Sequence, residues 1–153
     1  MKPQRHVGAT DASTRTAKRF GFAWLALATS LALHVADEAL NGFLPVYNSA
    51  VLSIQEVIPW SPLPTFTFGA WITGLIALIL LLFVVSPLVF RRVRWFAYLA
   101  FLFSALMIGN GLLHMGVSLV QRELMPGVLS SPLLLVTASA SMVGAWKTIR
   151  ETG

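Results

Sequence analysis

The chain has 153 residues, 56% of them hydrophobic and only 11% charged, with a net charge of +5 and no cysteine. A mean hydropathy of +0.75 leaves too little polar surface for a water-soluble particle, since soluble domains run at roughly 45–50% apolar. This length makes one domain, and the absence of cysteine excludes disulfides, thiolate metal sites and cysteine nucleophiles.

Residues 1–19 are polar, basic and rich in Ser and Thr, and they are expected to form a disordered cytoplasmic tail. Four apolar segments follow, at about Phe20–Leu40, Phe68–Phe90, Trp95–Val120 and Gly127–Trp146, and residues 148–153 form a short C-terminal tail. Each segment supplies the ~20 residues that a membrane-spanning helix needs. The expected fold is all-α, a polytopic membrane protein built as a four-helix bundle. The first segment also has the basic flank of a secretory signal. Cleavage after "HVA" would place His34 at a position that requires a small residue, which favours a retained span.

Ten of the eleven Lys and Arg residues flank the inner ends of these segments: Lys2, Arg5, Arg15, Lys18, Arg19, Arg91, Arg92, Arg94, Lys147 and Arg150. Arg122 alone falls on the other side. The asymmetry puts both termini in the cytoplasm. It also assigns the positive charge to topology and to anionic lipid, with no basic–aromatic patch to suggest nucleic acid. A plasma-membrane location is expected; oligomeric state is left open.

The first span carries His34, Asp37 and Glu38, placed i, i+3 and i+4 on one helical face. Ionisable groups inside a span cost ~2.5–3.5 kcal/mol on insertion scales, so they face a bundle interior or wet cavity and mark a site. After it, residues 43–66 carry one charge, Glu56, and four prolines. Val51, Ile54 and Ile58 recur at helical spacing, which suggests a short helix in the outer interface with Trp60 at headgroup depth. An ordinary loop with apolar anchors is the alternative.

The third span carries Asn110 and His114 at i and i+4. At ~1.5 Å rise per residue, His34 and Glu38 lie ~21 and ~27 Å along their helix, and Asn110 and His114 ~22 and ~28 Å along theirs. The two polar clusters therefore reach one depth in the outer half of the bilayer. Pro126 and Gly127 are expected in the first turn of the fourth span, where unpaired N–H groups favour an anion or oxyanion.

His34-x-x-Asp37-Glu38, Asn110-x-x-x-His114 and Pro126-Gly127 resemble the three signatures of the HXXEE-domain family of membrane proteins, over about residues 22–147. Asp37 departs from the family's Glu, keeping the carboxylate with a shorter reach. The resemblance implies a multi-pass fold and a shared site, and it carries no activity.

Two histidines, two carboxylates and an asparagine suit a divalent metal, Zn or Fe above all. His34, Glu38 and His114 are the expected ligands, leaving one position open. Asp37 would serve as general base or as orienter of a ligand, and Asn110 as donor to substrate or ligand. The reaction expected is hydrolysis of a lipid or other amphiphile. Three alternatives stand beside it: a metal-free proton relay or transport component, a structural or partner-binding role for the cluster, and a lipid site without chemistry. Gly109, Gly116 and the run "TASASMVGA" read as helix-packing surfaces, and Arg122–Glu123 as a solvated corner. Ser118, Ser130 and Ser131 lie near the outer face with no spacing that singles them out, and His6 is incidental.

Overall fold

A computed structural model describes residues 6–151, with side chains from Arg15 onward. Among these residues are six helices and no strand: α1 (His6–Leu40), α2 (Phe43–Val57), α3 (Phe68–Val84), α4 (Ser86–Phe90), α5 (Arg94–Gln121) and α6 (Ser131–Glu151). Four stretches are long and apolar enough to cross a membrane: Arg15–Leu40, Phe68–Phe90 (α3 with α4), Arg94–Gln121 and Ser131–Glu151. The chain is an all-helical integral membrane protein.

Two boundaries differ from expectation. Helix α1 begins at His6, so the segment expected as a disordered tail is helical from that residue. Extending an existing helix adds one hydrogen bond per residue fixed and avoids the nucleation cost. Residues 1–5 lie outside the described part. The last span starts at Ser131, four residues beyond Gly127. The start signal is "SSP": Ser130 stands before the helix, and Pro132 sits in the first turn, where its missing N–H costs nothing.

Helix α1 is the hub. Half of its apolar window is buried, against 17% for α3, and it packs on α2, α3, α4 and α6 while α5 packs on α6. Phe20, Trp24, Leu27, Ala28, Leu31 and Val35 form its buried stripe at three- and four-residue spacing. The stripe continues into His34 and Glu38. On α5 the buried positions Phe96, Ala100, Ser104 and Gly111 end in His114. On α6, buried Ser131, Leu134, Ala138, Ser141, Ala145 and Thr148 are mostly small, which lets helices approach closely. Buried Ser104 donates to Ser141 across α5 and α6 at 3.0 Å. Three core stripes thus converge on one polar end.

The segment after α1 is a helix with a return strap. Gly42, in the left-handed region at φ 76°, turns the chain sharply into α2. The extended residues after α2 fold back along it. Tyr47 donates to the Pro64 carbonyl, Gln55 to Leu63, and Asn48 bonds both the N–H and the carbonyl of Phe66.

At the other end of the bundle, Gly144 of α6 faces Phe20 of α1. A Cβ there would lie 2.7 Å from the Phe20 ring, and that ring is only 2% exposed. Gly144→Leu is expected to lower stability by about 1–3 kcal/mol through overpacking, read as a lower thermal midpoint in detergent.

Candidate metal centre

The C-terminal ends of α1 and α5 bring His34, Glu38 and His114 together, with 0%, 6% and 6% of their surfaces exposed. One ligand atom from each lies within 4.8 Å of the others. Glu38 Oε1 is 3.1 Å from His114 Nε2 and 3.6 Å from His34 Nε2. Donors about 2.0–2.1 Å from one tetrahedral ion stand about 3.3 Å apart, so this spacing needs little rearrangement to close on a cation. The imidazole rings meet edge to face with centroids 4.9 Å apart. The ring of Phe43, delivered by the Gly42 turn, covers His114 at 5.4 Å.

A hydrogen-bond chain sets the tautomer of His34. The Ser130 hydroxyl is 2.7 Å from Asp37 Oδ2 and 2.8 Å from His34 Nδ1. It has one proton, and the acceptor-only carboxylate takes it. His34 Nδ1–H therefore donates to Ser130 Oγ, and Nε2 carries the lone pair. That lone pair accepts from Asn110 Nδ2 at 3.1 Å, and it points toward the Glu38 carboxylate. A ligating imidazole needs this assignment, with the far nitrogen protonated and hydrogen-bonded.

Asp37 sits beside the three ligand atoms without pointing among them. Its Oδ1 accepts from Asn41 Nδ2 at 2.7 Å. Its Oδ2 accepts from both the backbone N–H (3.0 Å) and the hydroxyl of Ser130. The anion expected at the start of the last span is thus this carboxylate, supplied by α1 to the residue that precedes α6.

Pro126 and Gly127 reach the site in a turn before α6 and do not form the helix's first turn. Gly127 has φ 86°, and a Cβ there would lie 2.9 Å from His114 and 3.0 Å from His34. Both the backbone conformation and the space admit only glycine. What the turn offers its neighbours is an acceptor: the Gly127 carbonyl receives Ser131 N–H and Ser131 Oγ. Ser130 is the residue that sequence reasoning passed over. Its signal lay in the Ser-Ser-Pro start of α6, which the preceding Pro-Gly pair obscured.

Ser130→Ala leaves a buried imidazole N–H without its partner, a loss of about 1–3 kcal/mol. Ser131→Ala is expected to cost less, because the Gly127 carbonyl keeps the Ser131 backbone N–H. Thermal unfolding of the two variants compares them, and imidazole nitrogen NMR of the wild type should report His34 protonated at Nδ1.

Residues 24–142 match the family model described as "Protein of unknown function with HXXEE motif". No curated protein and no solved structure matches the chain. The matched stretch holds every residue of the site, from His34 on α1 to Ser130 before α6, and it covers most of the sequence. The chain belongs to the HXXEE family, with Asp37 at the first acidic position of the motif.

Proposed function

We propose that the chain is a metal-dependent membrane protein whose centre, held by His34, Glu38 and His114, hydrolyses a lipid or other amphiphile. The observation that carries the metal reading is the convergence of three buried ligand atoms within 4.8 Å. Charge balance supports a divalent ion. Two carboxylates, Glu38 directly and Asp37 through Ser130 and His34, offset two positive charges in a site whose polar partners are histidines, a serine and asparagines. An unpaired carboxylate in a low-dielectric bundle is costly, and a cation removes that cost.

Two imidazoles and one carboxylate suit Zn or Fe(II), the second as the two-histidine, one-carboxylate set of non-haem iron sites. A metal bound here supplies Lewis acidity. Asp37 and Ser130 hold His34 in its ligating tautomer, which favours, of the two roles open to Asp37, the orienting group over the general base. Asn110 Nδ2, which bonds His34 Nε2 at 3.1 Å, would be free to donate to substrate were that nitrogen to hold a metal. Phe43, at the start of α2, covers the His114 side of the site. The excess of Lys and Arg at the opposite end of the helices supports a topology with both termini in the cytoplasm and the site toward the outer leaflet; the membrane proposed is the plasma membrane.

The continuous chain Asp37–Ser130–His34, with Glu38 beside His114, favours a second reading as a metal-free proton relay. Metal content of the detergent-purified protein separates the two. Near-stoichiometric metal is expected in the wild type and none in His34→Ala or His114→Ala. Ser130→Ala should weaken metal affinity by roughly 10–100-fold, as loss of an outer-shell partner does. No metal after reconstitution with Zn, Fe and Mn overturns the metal reading. If metal is present, chelator-sensitive release of fatty acid or headgroup from mixed micelles tests the hydrolase reading.

A further inference from the structure

A cavity of about 430 Å³ lies between α1 and α6 at the end of the bundle away from the candidate metal centre. Its size is in the usual range for ligand sites. The walls are apolar: Phe20 forms the floor against α6, and Ala140 and Val143 line the α6 side. Two cations, Arg19 and Lys147, stand at the cavity, and among the described residues no acidic one lines it.

Arg19 comes from α1 and Lys147 from α6, and both line this one cavity. An apolar slot lined by two cations complements a molecule with a hydrocarbon tail and an anionic head. A zwitterionic head gains less there, because its own cation faces the same pair.

We infer that the α1–α6 cavity is a binding site for an anionic phospholipid, with an acyl chain along Phe20, Ala140 and Val143 and the phosphate between Arg19 and Lys147. The site stands apart from the metal centre and does not depend on it. It differs from general attraction of the basic end to anionic lipid, since that attraction would be shared by Arg91, Arg92 and Arg94.

Native mass spectrometry of the full-length protein, exchanged into mixed micelles of phosphatidylglycerol or phosphatidylcholine with identical acyl chains, tests it. Phosphatidylglycerol is expected to be retained in preference by roughly tenfold or more, from two cations acting together. Arg19→Gln with Lys147→Gln should abolish the preference, while Arg94→Gln, at the same end but off the cavity, should keep it. Ala140→Trp, which fills the slot, should reduce retention of both lipids; metal content in the same preparations should be unchanged. Equal retention of the two lipids, an equal loss in Arg94→Gln, or full retention in Ala140→Trp would each overturn the site.

Discussion

Glu38 is a carboxylate in the interior of a helix bundle, and the arrangement around it follows from the cost of leaving it unpartnered. Lysine and arginine are concentrated at the other end of the helices, so the partners within reach are imidazoles. One comes from its own helix a turn away and the other from α5. That demand fixes the rotation of two helices about their axes: the stripe that buries Phe20, Trp24 and Leu31 must also aim His34 and Glu38 inward. The stripe that buries Phe96 and Ala100 must likewise deliver His114. The apolar core and the polar site are two ends of one packing solution.

The same constraint explains why α6 is built of small residues. It lies against both α1 and α5, and the three helices must come close enough for side chains from α1 and α5 to meet at 3 Å. Ala138, Ser141 and Ala145 make this approach possible, and Gly127 completes it where two imidazole rings leave no room for a Cβ. Ser104 and Ser141 bond to each other, so their hydroxyls add no unsatisfied group to the interior.

Much of this was legible in the sequence because a bilayer constrains helices so strongly. Spans are announced by length and hydropathy, and ionisable residues within them have few places to face. Matching the depths of His34–Glu38 and Asn110–His114 needed only the helical rise and a count of basic residues. What the sequence hid was local. Pro126-Gly127 looks like a helix start and is instead a turn, because glycine was needed there for φ and for space. Ser130 was one of several serines near the outer face, and only the tertiary fold shows it between an aspartate and a histidine. The helical character of residues 6–19 was masked by polarity, since a neighbouring span, and not its own composition, supplies the nucleus.

Asp37 of α1 accepts the hydrogen bonds of Ser130, which precedes α6, so the first span and the last complete each other across nearly the whole chain. Synthesis runs from the N-terminus, and α1 enters the membrane long before residue 130 is made. During that interval His34 lacks the hydroxyl that fixes its tautomer, and Asp37 lacks both of its Ser130 donors. The centre is therefore a product of the final step of biogenesis. A chain ending just after α5 would hold His34, Asp37, Glu38 and His114 without Ser130, and so would have the candidate ligands without the group that orients one of them.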